Sequence, residues 1–398
     1  MRPLHFVCVF AALSLSPVGC ADGAPESVRV MTFNLEDVSG AQLEPGAQDS
    51  RVDRLVSIMQ RIEPDILFVN ELAYDFEAPR GENASRLASR LMKPQAPGLP
   101  SLRMVAFSAP PNTGVHSGHD LDNNGTVATE PGSRSYGGDC LGYGEYPGQY
   151  GMALLVSADL EIRSESVRTF RDLKWKDMPG ALLPTQPYDD TAGWYSPEEL
   201  AVLPLSSKSH WDIPVLLPDG RTLHVLCSHP TPPVFDGPED RNGRRNHDEI
   251  RFWAEYINGA DWIVDDAGQR GGLAPDALFV IVGDLNADPD AGDSLDNPIG
   301  SLLLKNSSIR AGDPPLSRIA VDGLSSRATS RFRLRVDYVL PSRGLEIVRQ
   351  GVWRGVADSP GAEIEPPAAL PDFPTDHFPV WVDIRLGKQP PESVPDPE

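Results

Sequence analysis

The sequence is poor in basic residues. Of its 398 residues, 35 are Lys or Arg and 57 are Asp or Glu, which gives a formal net charge of −22. A surface this acidic repels a phosphate backbone, so the composition argues against nucleic-acid binding through a basic patch. It does not exclude a phosphate-containing substrate, because a bound cation can reverse the sign of the potential inside one cleft.

Cysteine is also scarce, with four residues in the whole chain. This number excludes a disulfide-rich scaffold and a cysteine-based metal site. Cys227 lies in the apolar run 223–227 and is expected to be a small buried side chain. A disulfide between Cys140 and Cys227 is an open alternative, although nothing in their spacing favours it.

The N-terminus carries only a short apolar run. Arg2 precedes the apolar stretch 6–15, after which small residues lead to Cys20. A run this short is typical of a signal peptide and not of a membrane-spanning helix, so residues 1–20 predict an exported protein that is secreted, periplasmic or held at the cell envelope. Cys20 resembles the processed cysteine of a bacterial lipoprotein, which would carry a lipid anchor, although Pro17 stands where that pattern usually has Leu.

No internal repeat and no linker between two cores is visible, so we expect one domain over residues 28–386. A monomer is expected. Two regions resemble insertions. Residues 108–149 are rich in Gly, Asn, Asp and Ser, whereas residues 171–212 are richer in Trp, Pro and Tyr and are expected to form an ordered loop over the core. The tail 387–398 is Pro-rich and acidic, which predicts disorder.

Apolar periodicity predicts short strands that alternate with amphipathic helices, which is typical of an α/β (α+β) protein. One helix is predicted over residues 51–62, with Ser50 as its N-cap. Another is predicted to begin at Asn246, with Glu249 at its third position. The predicted strands lie at residues 28–33, 66–69, 150–157, 222–227, 278–282, 335–340 and 379–384.

Polar residues stand at the ends of several of these strands or inside them. A rigid scaffold presents reactive groups in loops of this kind. Any single case has a plain structural explanation, such as a turn, a helix cap or a buried hydrogen bond. Six cases in one chain indicate an active site instead. They are Asn34-Leu35-Glu36, Asn70-Glu71, Ser228-His229, Gly283-Asp284-Leu285-Asn286, Asp337 and Thr375-Asp376-His377.

In their order these motifs resemble the endonuclease/exonuclease/phosphatase superfamily, also called deoxyribonuclease-I-like. The likeness includes the segments 64–66 and 151–155 and spans residues 28–385, apart from the two insertions. It implies a four-layered α/β sandwich, in which two mixed β-sheets pack face to face with helices outside. It also implies an enzyme that hydrolyses phosphoester bonds, with its active-site loops gathered at one edge of the sandwich.

Phosphoester hydrolysis needs an activated water, stabilisation of negative charge on phosphorus and a helped leaving group. The resemblance implies a divalent-metal site for this purpose. Glu71 and Asp376 are hard oxygen ligands suited to Mg²⁺ or Mn²⁺. Asn34 and Glu36 would complete the shell, directly or through water.

The resemblance assigns the other residues to proton transfer and phosphate binding. Asp284 would orient and deprotonate the attacking water, and Asn286 would hold a phosphoryl oxygen with its amide. His377 would contact a phosphate oxygen or transfer a proton, while Asp337 would fix its tautomer and raise its pKa. His229 would be a second proton donor or phosphate ligand on the opposite side.

The densest basic cluster of this acidic chain follows the motif that contains His229. Bidentate guanidinium contacts suit phosphate, so these arginines are candidates for substrate binding, with salt bridges to neighbouring acids as the alternative. The cluster consists of Arg241, Arg244 and Arg245. Further candidates for the cleft, all in the second insertion, are Lys208, His210 and Trp211.

A run in the first insertion matches the first half of a calcium-binding loop. Asp120, Asp122 and Asn124 occupy its positions 1, 3 and 5, and Gly follows at position 6. The Glu expected at position 12 is absent, since Pro131 stands there. A structural Ca²⁺ and a solvated polar turn are therefore both open.

The sequence leaves the substrate undecided among nucleic acids, lipids and small molecules. The two histidines favour a phosphodiester, as in a nuclease or phosphodiesterase. The negative charge and the predicted lipid anchor favour a phosphomonoesterase that acts on lipid or small-molecule phosphates. A catalytically inactive surface lipoprotein with a binding role is the alternative of another class, but no candidate catalytic position is degraded.

Overall fold

The computed structural model describes residues 27–77, 80–355 and 373–386. The predicted signal peptide with Cys20 and the predicted tail over 387–398 lie outside these residues, so both stay predictions. Among the described residues, none of the helices has the length and the apolar character that a bilayer crossing requires.

The strands and helices in this part of the chain follow the predicted alternation. The strands are β1 (Val28–Val38), β2 (Ile66–Leu72), β3 (Met104–Phe107), β4 (Met152–Ser157), β5 (Glu161–Ile162), β6 (Arg168–Thr169), β7 (Thr185–Gln186), β8 (Asp189–Gly193), β9 (His210–Leu216), β10 (Thr222–Ser228), β11 (Leu278–Asp284), β12 (Asp337–Pro341), β13 (Leu345–Val352) and β14 (Val380–Leu386). The α-helices are α1 (Gly40–Leu43), α2 (Ser50–Ile62), α3 (Glu82–Leu91), α4 (Arg134–Gly138), α5 (Pro197–Val202) and α6 (Arg241–Ile257).

Two large mixed sheets form the centre of the fold. The first has the order β13-β14-β1-β2-β4-β3, and the second has the order β12-β11-β10-β9-β5, with β6 paired to β9. Each contains one parallel pair, β1 with β2 and β10 with β11, among antiparallel neighbours. The two mixed sheets expected from the sequence are confirmed.

The two sheets pack face to face because alternate strand residues point to opposite faces. Val225 and Cys227 of β10 belong to the core between the sheets, while Leu226 faces the core beneath α6. Trp211 of β9 fills the space between the sheets and meets Phe68 of β2 edge to face, with ring centroids 6.3 Å apart. With α2 and α3 on the outer face of the first sheet and α6 on that of the second, the predicted four-layered sandwich is confirmed.

The predicted helix caps are wrong. Asp49, not Ser50, caps α2, because its carboxylate accepts from the backbone N–H groups of Arg51 and Val52. Helix α6 begins at Arg241, so Asn246 lies inside it. The Asn246 amide donates to the carbonyls of Thr231 and Leu285, which joins the helix to two neighbouring loops.

The disulfide alternative is also wrong, since Cys140 and Cys227 are both free and buried. Cys227 contributes to the core between the sheets, as predicted. The two insertion-like regions contact each other, because the Asn112 amide donates to the carbonyls of Arg171 and Ser206. The second region ends inside β9, so its last residues belong to the sheet.

A buried ion pair fixes the short edge strand β6 and yields a stability prediction. The Arg168 guanidinium donates to Asp265 at 2.7 Å, and both side chains are buried. Replacing Asp265 by Ala leaves a buried cation without its counter-charge. We therefore expect Asp265→Ala to lower the free energy of unfolding by about 3–5 kcal/mol in urea titrations.

The matched control is Asp159→Ala, which removes an exposed partner of Arg103 at 3.6 Å. Exposed pairs of this kind contribute about 1 kcal/mol or less. An equal loss of stability in the two variants would contradict the assignment of the Arg168 pair to the core.

Candidate active site

The candidate active site lies where the parallel pair of each sheet ends. The carboxyl ends of parallel strands meet at one edge of a sheet, and stacking of the two sheets brings both edges together. Asn34 and Glu71 come from β1 and β2 of the first sheet. In the second sheet, Asp284 ends β11, and His229 directly follows β10. Residues that are far apart in sequence therefore share one site.

The Asn34 amide joins carboxylates from the two sheets. Its Nδ2 lies 3.0 Å from Glu71 Oε1 and 3.0 Å from Asp284 Oδ2. Its Oδ1 accepts a hydrogen bond of 2.9 Å from the backbone N–H of Glu36, which fixes the orientation of the amide. Asn34 thus sets the distance between Glu71 and Asp284.

Asn70 makes a second, fully buried connection between the sheets. Its Oδ1 accepts from the backbone N–H of Asp284 at 3.2 Å, and its Nδ2 lies 3.4 Å from the carbonyl of Ser228. Because one side chain of β2 reaches both β10 and β11, the strand ends are held in register across the core. Asn70 belongs to a motif that the sequence singled out, but its bridging role could not be derived there.

Two histidines flank Asp284. His229 Nε2 lies 3.5 Å and His377 Nε2 lies 3.6 Å from Asp284 Oδ2. On its other side, His377 Nδ1 lies 2.9 Å from Asp337 Oδ2, which places the carboxylate where it orients the ring. Asp284 also accepts from the backbone N–H of Asn286 at 2.9 Å.

These contacts favour a protonated His377 and an ionised Asp284. Burial lowers the pKa of His377, but the Asp337 and Asp284 carboxylates outweigh it and hold the pKa well above its usual range. Burial favours the neutral form of Asp284, yet the two imidazoles and the Asn286 N–H lower its pKa below its usual value. Burial raises the pKa of Asp337 to about 6. For His229, burial and the charge of Lys208 lower the pKa to about 4.

The donor set fits a hard divalent cation. Burial, together with the charge of Asp284, raises the pKa of Glu71, although the Asn34 amide opposes the rise. Ligand atoms of Asp284, Asp337 and His377 also lie within 4.8 Å of one another. Two carboxylates bridged only by a neutral amide leave negative charge that a cation would neutralise, and oxygen ligands suit Mg²⁺ or Mn²⁺.

Glu36 and Asp376 lie at the rim of the site. The backbone N–H of Asp376 donates to Glu36 Oε2 at 2.9 Å, and the Asp376 side chain is 40% exposed. Beneath them, the Thr375 hydroxyl donates to the carbonyl of Asn34 at 3.0 Å. These contacts attach the loop before β14 to the bulged end of β1.

Three site residues have left-handed backbone, namely Glu36 (φ 53°), Glu71 (φ 63°) and Asn286 (φ 54°). For residues other than glycine this conformation costs about 1–3 kcal/mol each and persists only where the surroundings enforce it. At Glu71 the enforcing contacts are hydrogen bonds from the Asn34 amide and from the backbone N–H of Asp37. Left-handed residues also occur elsewhere in the chain, for example at Glu63 and Asn123, but at these three positions the strained backbone belongs to the site.

A family model described as "Endonuclease/Exonuclease/phosphatase family" matches residues 31–377. The chain belongs to this family. Members of the endonuclease/exonuclease/phosphatase family hydrolyse phosphoester bonds, and the acidic cluster at the strand ends can hold a metal ion. The family expected from the sequence motifs is confirmed.

Solved structures of low sequence identity resemble the chain. An endonuclease/exonuclease/phosphatase from Beutenbergia cavernae is 18% identical, with a TM-score of 0.49 and coverage of 91% of this chain and 72% of that one. The human Nocturnin catalytic domain with bound sulfate is 13% identical, with a TM-score of 0.46 and coverage of 90% and 94%. A humanized D. rerio TDP2 is 10% identical, with a TM-score of 0.44 and coverage of 90% and 99%. No curated protein matches the sequence significantly.

The arginines of the basic cluster have different surroundings in this family member. Arg245 is buried and donates to the carbonyls of Leu141, Pro204 and Leu205, so we assign it to the fold and not to the substrate. Arg241 forms an ion pair with Glu239, as the salt-bridge alternative expects. For Arg244, a role in substrate binding stays a prediction.

The expectation that His210 and Trp211 line the cleft is wrong. Burial lowers the pKa of His210 to about 3, and its ring lies between Ser206 Oγ at 3.0 Å and the carbonyl of Glu249 at 2.9 Å. Trp211 is buried between the sheets. Lys208, the third candidate, is close to the site, because its Nζ lies 3.4 Å from the carbonyl of Pro230, the residue after His229.

The calcium-like run of the first insertion gains a carboxylate that the sequence did not indicate. Oxygens of Asp120, Asp122 and Asp139 lie within 4.8 Å of one another. Asp139 lies beyond the twelve positions of a calcium-binding loop that starts at Asp120, so the loop pattern could not predict it. The Asn124 side-chain oxygen, by contrast, accepts a hydrogen bond from the backbone N–H of Thr126. The three carboxylates can hold a cation, and its identity as Ca²⁺ stays a prediction.

We expect Ca²⁺ to raise the unfolding temperature of the protein, because a ligand that binds only the folded state stabilises it. At 100 times its Kd the gain is about 2.7 kcal/mol. Differential scanning calorimetry of Asp139→Asn should show a smaller shift than the wild type, while Asp159→Asn should match the wild type. Equal shifts in all three proteins would contradict a site at Asp139.

The Asp337–His377 pair yields a prediction about pH. Asp337 raises the pKa of His377, so Asp337→Asn lowers it, and the protonated imidazole is then lost at a lower pH. We expect kcat to fall about 10²- to 10⁴-fold. The alkaline limb of the pH–kcat profile should also move to lower pH.

A matched control is Asp190→Asn, since Asp190 is exposed on β8. Its profile should superimpose on that of the wild type. If Asp337→Asn lowers kcat without moving the alkaline limb, protonated His377 is not the group that titrates there.

Proposed function

We propose that the protein is an exported, divalent-metal-dependent phosphoesterase that hydrolyses phosphodiester bonds by attack of water. The observation that carries the proposal is the pair of imidazoles, His229 and His377, whose Nε2 atoms lie 3.5 Å and 3.6 Å from the same oxygen, Asp284 Oδ2. Two imidazoles that converge on one carboxylate suit a reaction in which charge develops on phosphoryl oxygens. Export is proposed from the N-terminal pattern, with Cys20 as the site of a lipid anchor.

Asp284 has the properties of a group that orients water. Its lowered pKa keeps the carboxylate ionised near neutral pH, and Asn34 and the Asn286 N–H hold it in place. An ionised carboxylate fixed in this way accepts a hydrogen bond from the attacking water. In our proposal the water is aligned by Asp284, and the amide of Asn286 contacts a phosphoryl oxygen.

The two histidines have different protonation states at neutral pH. His377 carries a proton because two carboxylates face it, so it can donate to a phosphoryl oxygen or to the leaving group. His229 is neutral, and its Nδ1 is buried without a hydrogen-bond partner in the described part of the chain. A neutral imidazole is suited to donate through one nitrogen and accept through the other.

The metal would be held by Glu71 at the centre of the site, with Asn34 beside it and Glu36 and Asp376 at the rim. When bound, Mg²⁺ or Mn²⁺ would supply Lewis-acid polarisation of a phosphoryl oxygen and neutralise developing charge. Because Asn34 Oδ1 already accepts from Glu36 N, a direct contact to the cation would use its second lone pair.

A phosphomonoesterase acting on lipid or small-molecule phosphates is the second candidate. The net charge of −22 favours it, because an acidic surface disfavours long phosphate backbones. An inactive binding lipoprotein is the alternative of another class. Against it, Glu71, Asp284 and His377 form one connected arrangement around the Asn34 amide.

The decisive assay compares bis-p-nitrophenyl phosphate with p-nitrophenyl phosphate, using the purified protein with EDTA and then with Mg²⁺, Mn²⁺ or Ca²⁺ restored. We expect metal-dependent cleavage of the diester. Cleavage of the monoester would favour the phosphatase candidate instead. Absence of turnover with both compounds would favour the binding protein.

The same assay tests the assigned residues. Asp284→Ala and His377→Ala should each lower kcat at least about 10²-fold, the lower limit for loss of a general acid or base. Asp190→Ala, on an exposed hairpin, should leave kcat unchanged. Near wild-type turnover in either site variant would contradict its assignment.

A further inference from the structure

Lys208 places a buried positive charge next to the candidate active site. It lies two residues before β9, which begins at His210, and it is 5% exposed. Its Nζ has one hydrogen-bond acceptor among the described residues, the carbonyl of Pro230 at 3.4 Å. Within the same residues no carboxylate forms an ion pair with it.

A buried ammonium group of this kind is incompletely satisfied. It has three N–H donors, and removing it from water is costly unless those donors and its charge find partners. One carbonyl at 3.4 Å is a weak partner. Burial accordingly lowers the pKa of Lys208, while the charges of Glu249, Glu71 and Asp284 oppose the fall. The group is thus prepared for an additional anionic partner.

The contacts of Lys208 converge with those of the proposed catalytic groups. The carbonyl of Pro230 accepts from Lys208 Nζ and also from Asn286 Nδ2, the latter at 3.1 Å. Pro230 directly follows His229, whose pKa the Lys208 charge helps to lower. The Lys208 ammonium and the Asn286 amide therefore meet at one carbonyl, and the His229 imidazole belongs to the residue before it. All three groups are suited to donate to an oxyanion.

Surrounding contacts hold the segment of Lys208 in place. Glu249 Oε1 accepts from the backbone N–H of Ser207 at 2.7 Å and from its hydroxyl at 3.0 Å. Glu249 Oε2 accepts from the backbone N–H of Thr231 at 2.7 Å, which joins the Lys208 segment to the loop after His229. The carbonyl of Lys208 itself accepts from Asn112 N at 2.8 Å. The charge is fixed beside the site and not carried on a mobile loop.

We propose that Lys208 is a further catalytic residue, whose ammonium group donates to a non-bridging oxygen of the phosphoryl group under attack. This inference rests on the proposed phosphoesterase function and extends it. The substrate phosphate would be the anionic partner that Lys208 lacks among the described residues. Because negative charge on the phosphoryl oxygens changes during reaction in a water-poor site, a fixed ammonium there stabilises the transition state.

The first test is Lys208→Met, which keeps the length and the apolar stem of the side chain. With bis-p-nitrophenyl phosphate and saturating Mg²⁺ we expect kcat/KM to fall about 10²- to 10³-fold. The unfolding temperature should stay equal or rise, because an unpaired buried charge is removed. Lys305→Met, at an exposed position, is the matched control and should change neither quantity.

Chemical rescue distinguishes a direct contact from a structural effect. In Lys208→Ala, ethylammonium should restore turnover, whereas tetramethylammonium, which has no N–H donor, should not. Retained turnover in Lys208→Met would overturn the proposal. So would a loss of turnover accompanied by a lower unfolding temperature and no rescue.

A binding measurement keeps this inference separate from the proposed function. Calorimetric titration with inorganic phosphate in the presence of Mg²⁺ should give an affinity at least tenfold lower for Lys208→Met than for the wild type. If the wild type cleaves neither ester but shows this difference, the phosphoesterase proposal fails and the phosphate contact stands. Equal phosphate affinity in both proteins overturns the Lys208 proposal.

Discussion

One amide group holds the centre of this molecule together. Asn34 Nδ2 donates to Glu71 and to Asp284, which come from different sheets, and so keeps two carboxylates close in a poorly solvated place. Like charges at this distance repel, and burial adds to the cost. The surrounding groups offset it: histidines flank Asp284, and Asn70 connects the strand ends across the core. A cation fits this arrangement because it would neutralise the negative charge of Glu71 and Asp284 that these groups do not offset.

The sequence predicted the parts of the fold that depend on local periodicity. Strand β11 is a continuous apolar run over residues 278–282, and its side chains are covered by core residues on both faces of the sheet. The start of α6 was predicted at Asn246, because this residue type often caps a helix. Helix α6 begins earlier, at Arg241, and the Asn246 amide donates instead to the carbonyls of Thr231 and Leu285. A helix cap can be predicted from the local sequence only where the capping side chain makes no hydrogen bonds to distant segments.

The site itself was predicted through motifs, and its geometry was not. Asp284 and His377 could be named because each stands at the boundary of an apolar strand. Lys208 gave a weaker signal, and Asp139 gave none, because their partners lie in segments distant in sequence. Trp211 looked like a cleft residue for its chemistry, but its place in the alternation of β9 directs it between the sheets. Contacts between segments, and not residue types, decide such cases.

The most direct test of this account is Mn²⁺ binding followed by electron paramagnetic resonance. The protein should carry Asp139→Asn, so that the acidic cluster of the first insertion does not contribute. We predict that it binds Mn²⁺ near neutral pH and that adding Glu71→Gln weakens the affinity at least about tenfold. Equal Mn²⁺ affinity with and without Glu71→Gln would contradict the claim that the paired carboxylates under Asn34 form the metal site.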